Sequence, residues 1–341
     1  IEVVCDQTLT IIETKEKFLE SLGTKDGIRI ASHGDADGIS SAFIAAYAFR
    51  KNKPEVYFPT EFSDVTKETG EVADLVLDKV PVNTYTGHVI DHHPDHAKDA
   101  KYNLFHGKVP ASLLSLQVFK ERIPKEVWWK AVPGIVGDGQ PEQIPPEIIQ
   151  MFPSLMEEVT TVRNYRGETK TYTNPVWFLL SSPINSACRI GKRSLAFSTL
   201  VAARDPYELI FSEALADCKE LFQREVDRVR NASRAINIGP ITIWLVDSNY
   251  SVNGTLAWEL YNQNRKTAIV INEHTRHGSI RGLLVDYLKT YVDPKWKVGG
   301  HSGFAGISLP KIEADNDADR KAREKEQLVD FLNEIRRVVP R

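Results

Sequence analysis

The sequence predicts an α/β fold in two domains, and three observations lead to it. Short apolar runs alternate with helix-like stretches through residues 27–90, the rhythm of a mostly parallel sheet. A second rhythm of the same kind begins at residue 241, after a charged stretch with helical apolar spacing. The chain is also 341 residues long, more than one small core normally serves. The boundaries expected from these features are a parallel-sheet domain over 1–195, a helical connector over 196–236 and a smaller α/β domain over 237–341.

In the first domain, residues 27–32 read as a buried strand and residues 38–50 as a helix whose small residues suit close packing. Further strands are expected at Val56 to Phe58, Asp74 to Leu77 and His88 to Ile90. Residues 141–185 lack a clear period and read as an inserted or bridging region. Asp205 to Ala235 shows the apolar spacing and charged faces of one long connecting helix. Beyond it come a strand at 241–246, a helix at 253–263, a strand at 267–272, a turn at GSIRG and a last strand near Gly306 to Leu309. Residues 318–338 read as a terminal amphipathic helix.

Composition excludes several classes. With 42% hydrophobic and 26% charged residues the chain resembles soluble globular proteins rather than disordered ones. No apolar run approaches the ~18 residues of a spanning helix, and no secretory signal is read at Ile1. Cys5, Cys188 and Cys218 are odd in number and widely spaced, which suits reduced thiols and a cytoplasmic setting. A formal charge of -3 excludes a surface uniformly attractive to nucleic acid and leaves room for a local basic groove.

The chemistry concentrates where strands end. Ser32-His33-Gly34-Asp35-Ala36-Asp37-Gly38 follows one strand and opens a helix, so its side chains are expected beyond the carboxyl edge of the sheet. In an extended segment His33, Asp35 and Asp37 would share one side, and carboxylates crowded with an imidazole suit Mn²⁺ or Mg²⁺. The bland alternative is an Asp that only caps the helix. Asp91-His92-His93 again follows an apolar strand, and Asp91 there can orient an imidazole. Asp78 and Asp138 are each expected at the end of a strand.

These residues resemble the motifs of the DHH phosphoesterase superfamily: SHGDADGISS its first motif, VIDHH the one that names it, and VLDKVP and IVGDG the two single-Asp motifs. Val298 to Gly306 resembles the glycine-rich motif of the associated C-terminal domain, with Phe304 where a small residue is usual. Pro183 to Gly191 and Ser279-Ile280-Arg281 are similar to segments of the RecJ branch, with Cys188 in place of the usual Gly. The resemblance implies two divalent ions, Mn²⁺ favoured over Mg²⁺, one held by His33, Asp35 and His92, the other by Asp37. Asp78 would bridge them, Asp138 would bind one of them, and His93 would touch substrate phosphate. His301 would supply a donor over the scissile phosphate, and Asn185, Arg189, Ser279, Arg281, Gly299 and Gly300 would bind phosphate.

The expected activity is therefore metal-dependent hydrolysis of single-stranded nucleic acid, DNA favoured, in the 5′→3′ sense. The alternatives are cleavage of short oligonucleotides or cyclic dinucleotides, and a non-catalytic replication scaffold of the Cdc45 kind. Likeness to the compact archaeal relatives implies a replication-fork GINS-type protein as a candidate partner. Six Lys or Arg against one Glu between Arg163 and Arg193, with Tyr165, Tyr172 and Trp177 among them, agree with a polynucleotide path, as do four more basic residues from Arg265 to Arg281.

Overall fold

The computed structural model describes residues 10–11, 14–23, 27–59, 73–81, 84–94, 96, 100–165, 168–301, 303–310, 312–314 and 316–339. Cys5, Arg166 and Ser302 lie outside the described residues, as do the side chains of Arg163, Tyr165 and His301. The chain divides into two compact units, Ile1–Lys219 and Glu220–Arg341. The division falls inside the helix Glu213–Ala232, within the stretch read as a connector.

In the first unit six strands form an all-parallel sheet: β1 (Thr10–Ile11), β2 (Arg29–Ser32), β3 (Glu55–Tyr57), β4 (Leu75–Leu77), β5 (His88–Asp91) and β6 (Asn103–His106). Their order is β1-β6-β5-β4-β2-β3. Leu75, Val76 and Leu77 are all buried, as a central parallel strand covered on both faces requires. The helix Ala36–Ala48 buries Ile39, Phe43 and Ile44, each worth roughly 1.5–3 kcal/mol when removed from water. Register sets the site. Ser32 pairs with Leu77, and Leu77 with Ile90, so the residues that follow β2 and β4 and the last residue of β5 come level at one edge.

Four local expectations between residues 36 and 235 are corrected. The helix expected over 38–50 spans Ala36–Ala48, which places Asp37 in its first turn rather than in an extended segment. Residues 141–185 are not irregular throughout: β7 (Glu158–Tyr165) and β8 (Glu168–Pro175) form an antiparallel hairpin. Its Thr-rich strands carry charge on both faces, so no apolar alternation betrays them, and Thr160 and Thr173 instead hydrogen-bond across the pair at 3.1 Å. Asp138 ends a helix, Val132–Gly137, rather than a strand, because Pro133 occupies a first-turn position that a helix accepts. The single helix read over 205–235 is two, Pro206–Ile210 and Glu213–Ala232, because Asp205 caps the first and Ser212 accepts from Leu215 at the start of the second.

The second unit holds β9 (Arg234–Ile238), β10 (Ile241–Val246), β11 (Thr267–Asn272), β12 (His277–Arg281), β13 (Val298–His301) and β14 (Phe304–Ser308), ordered β13-β14-β12-β11-β10-β9. Among the described strands of this unit only β10 and β11 pair in parallel, joined by the helix Asn253–Asn264. The segment read as a GSIRG turn is largely strand β12, because Ile280 and Gly278 face inward while Ser279 and Arg281 alternate outward. On one face Ile243, Ile269, Ile280 and Ile307 pack with Phe331 and Ile335 of the helix Asp317–Val338. On the other, Asn253–Asn264 packs on β11 and β12. Among the described residues no helix is long and apolar enough to cross a membrane.

Candidate metal centre

The centre is built at the level edge of the first sheet. His33 leaves β2 with its N–H donating to the Leu77 carbonyl at 3.1 Å, and Asp78 leaves β4 with its N–H donating to Ile90 at 3.0 Å. Asp78 has φ 55°, a left-handed conformation that Asp tolerates better than most residues. At Asp35 one oxygen caps the helix and the other turns to the cluster. Its Oδ1 accepts from the Gly38 N–H at 3.0 Å, while its Oδ2 stands 2.9 Å from His33 Nδ1.

Gly38 is required sterically. A Cβ at that position would lie 2.2 Å from the His33 carbonyl oxygen. Gly38→Ala should therefore destabilise the first unit by about 1–3 kcal/mol, read as a lower midpoint in urea unfolding.

Asp37 is buried and reaches across to another helix. Its Oδ2 accepts from Ala111 N–H at 2.7 Å and its Oδ1 from Ser112 N–H at 2.9 Å, at the start of Ala111–Phe119. These donors fix the carboxylate and favour its charged form, as helix N-termini do. Asp78 sits between the two imidazoles: Oδ2 is 3.5 Å from His33 Nδ1, and Oδ1 is 3.4 Å from His92 Nε2. His92 Nε2 is 3.9 Å from Asp37 Oδ2, and its Nδ1 is 3.6 Å from Asp138 Oδ2. Two sets of ligand atoms, each within 4.8 Å of one another, follow: His33 with Asp35 and Asp78, and Asp37 with His92 and Asp138. A third set joins Asp78, Asp91, His92 and His93. His92 thus stands near Asp78 as well as Asp37 and Asp138, and the family pattern had placed it with His33 and Asp35.

The electrostatics is that of charges crowded out of water. Burial, then the charges of Asp78 and Asp138, push the Asp37 carboxyl well above the usual carboxylate range. Burial opposes charge on His33, yet Asp35 and Asp78 outweigh it and carry its pKa up to about 10. His92 is raised to about 9, where burial is outweighed by Asp78, Asp138 and Asp37. Asp35, despite burial, is held far below the usual range, chiefly by His33. Carboxylate oxygens and imidazole nitrogens converging on one partly buried cluster are the donor set of hard divalent cations, and the residues fit such ions.

Asp91, fully buried, accepts from two imidazoles: His93 Nδ1 at 2.8 Å and His96 Nε2 at 3.0 Å. Those hydrogen bonds hold its pKa far down against the effect of burial. His96 Nδ1 lies 2.7 Å from the Tyr102 hydroxyl, closing a chain that aims His93.

No protein-family model matches the sequence, and none of the curated proteins compared with it does. Solved structures do match. RecJ from Thermus thermophilus in complex with Mn²⁺ is similar at a TM-score of 0.61 and 16% identity, over 96% of this chain and 54% of that one. An exonuclease RecJ bound to manganese is similar at 0.56 and 17%, over 96% and 93%. CDC45 from Entamoeba histolytica is similar at 0.56 and 10%, over 95% and 100%. The fold is the one these RecJ structures share. The chain spans about half the length of the Thermus RecJ and nearly all of the second one.

Within this RecJ-like fold the other site residues of the sequence fall in two places. Asn185, on the helix Ser181–Arg189, accepts at Oδ1 from the Ala36 N–H at 2.9 Å, so it braces the first motif. Arg189, expected to bind phosphate, lies where Asp35 acts on its charge; burial depresses its pKa and Asp35 opposes that. Ser279, Arg281, Gly299 and Gly300 gather in the second unit, where Ser279 pairs with Gly306 and Gly306 with Gly299 across β12, β14 and β13. The backbone of His301 pairs with Phe304.

Sequence reasoning missed His96 and Arg193. His96 follows the named motif by three residues, and an Asp-His-His-x-x-His spacing was the signal for it. Arg193 packs on the first motif so closely that a Cβ at Gly34 would lie 2.4 Å from its side chain, a long-range contact with no local signal. Cys188 and Cys218 are buried free thiols.

Proposed function

We propose that this chain is a phosphodiesterase requiring two divalent ions, Mn²⁺ favoured, that removes nucleotides from single-stranded nucleic acid, DNA preferred, in the 5′→3′ direction. The observation that carries the reading is Asp78, whose two oxygens face His33 on one side and His92 on the other, between two ligand sets. Divalent ions held there would supply Lewis-acid activation of water and neutralise charge at phosphorus. His33, Asp35 and Asp78 would hold one, Asp37, His92 and Asp138 the other. His93 would keep Nδ1–H on Asp91 and direct its other ring nitrogen to a phosphate oxygen. Asn185 would keep the first motif in place, and Arg189 would offset charge beside Asp35 when an anionic substrate arrives. In the second unit Arg281, Ser279, His301 and the backbone at Gly299 and Gly300 would bind phosphates of the strand.

The similarity to CDC45 supports a scaffold as the second reading. Intact carboxylates and imidazoles favour catalysis over it. Strands of DNA and RNA labelled at either end, incubated with Mn²⁺ or Mg²⁺, test both. A ladder or released mononucleotide from the 5′ end of DNA is the expected result; no cleavage with either ion would leave the scaffold. Arg281→Ala should weaken cleavage of a long strand and make its salt dependence shallower by about one counterion, while changing a chromogenic phosphodiester much less. Equal loss on both substrates would place Arg281 at the reacting phosphate instead.

A further inference from the structure

We infer that the second unit carries a nucleobase-stacking site formed by Trp258 and Phe304, which takes a base of a single strand whose adjoining phosphate lies at Arg281. The inference rests on the nucleic-acid reading above and adds a contact for the base itself. Trp258, on the helix Asn253–Asn264, and Phe304, at the start of β14, are large aromatic side chains left 46% and 48% exposed. Their rings are nearly parallel, with 5.7 Å between centroids and 22° between planes. Tyr261 extends the group, 5.9 Å from Trp258.

Three features distinguish this pair from surface residues scattered singly. First, a cation is built onto it: Arg281 is the cross-strand partner of Phe304, and its guanidinium carbon lies 5.2 Å from the ring centroid. Nη1 of the same side chain donates to the Ile280 carbonyl at 2.8 Å, which fixes the group beside the ring. Second, the surface next to the pair has little side chain on it. Gly306 and Gly299 lie in one cross-strand row with Ser279, and a Cβ at Gly299 would meet nothing within 4 Å. Third, the helix backbone comes in close, since a Cβ at Gly254 would be 3.3 Å from Arg281 Nη2 and 3.7 Å from Ser279 Oγ. Flat ring surface, a guanidinium and approachable backbone match a base joined to a phosphate. A protein partner would instead be expected to set its anchoring side chains into pockets, and the floor here is backbone and a hydroxyl.

The test measures binding of the whole protein, in EDTA so that nothing is cleaved, to a labelled oligothymidylate and to a strand of equal length made only of abasic sites. Wild type should bind the base-bearing strand about tenfold more tightly, and Trp258→Ala and Phe304→Ala should each remove most of that preference while leaving abasic affinity nearly unchanged. Phe304→Tyr should keep the preference and Phe304→Leu should lose it, which separates a ring face from apolar bulk and covers the case in which an alanine variant folds poorly. Arg281→Ala should weaken both strands. If the aromatic variants weaken both strands alike, or neither, the rings do not stack on bases and the inference is overturned. Base preference without any hydrolysis under Mn²⁺ would sink the nuclease reading alone. Hydrolysis with no base preference would sink the stacking site alone.

Discussion

Asp78→Asn should leave less than about a tenth of wild-type turnover at saturating Mn²⁺, the largest loss expected of any single conservative change. The substitution keeps side-chain volume, and Asn tolerates the left-handed backbone at φ 55° as Asp does, so the turn after β4 should survive. What disappears is the anionic charge between His33 and His92, carried by a carboxylate whose oxygens lie 3.5 Å and 3.4 Å from the two imidazoles. Circular dichroism and a cooperative melt would verify the fold, and single-turnover cleavage of an end-labelled strand would measure the loss. Turnover above a tenth of wild type would remove Asp78 from its bridging role.

Mn²⁺ should raise the melting temperature of the first unit on the order of 10 °C when supplied at about a thousandfold excess over its dissociation constant, which corresponds to roughly 4 kcal/mol. The effect should grow with pH, and the sign follows from the imidazoles. Without the ion His33 and His92, with pKa values of about 10 and about 9, carry protons at neutral pH. Ligation requires their neutral form, so binding releases protons and affinity rises with pH up to the pKa of His92, then less steeply up to that of His33. Asp37, whose pKa is raised by burial and by Asp78 and Asp138, gives up any proton it holds in the same direction. Calorimetric titrations in buffers of different ionisation enthalpy would count the protons released, and EDTA should reverse the stabilisation. A melting temperature unmoved by Mn²⁺, or affinity that falls as pH rises, would falsify the metal reading.

The candidate ligands, though not His96 or Arg193, were legible in the sequence because each is local to a pattern. His33, Asp78 and Asp91 follow or close apolar runs, and a buried parallel strand must end where its backbone meets water or a ligand. The strands at 241–246 and 267–272 were legible to the residue for the same reason, being continuous apolar runs bounded by polar ones. The hairpin of β7 and β8 was not, because a two-stranded sheet wet on both faces needs no apolar period.

The sequence by itself determined the α/β class, the two rhythms and the chemical identity of the donors. Which donors meet was decided only by tertiary structure. The register of Ser32 on Leu77 and of Leu77 on Ile90 brings three separate motifs level. The approach of Val132–Gly137 delivers Asp138 from a helix end, and the start of Ala111–Phe119 pins Asp37 from 74 residues away. Likewise nothing local joins Trp258 on a helix to Phe304 on a strand. Strand pairing and helix packing join residues far apart in the chain, whereas periodicity reports only what each segment buries, so the pattern named the candidate residues and the packing grouped them.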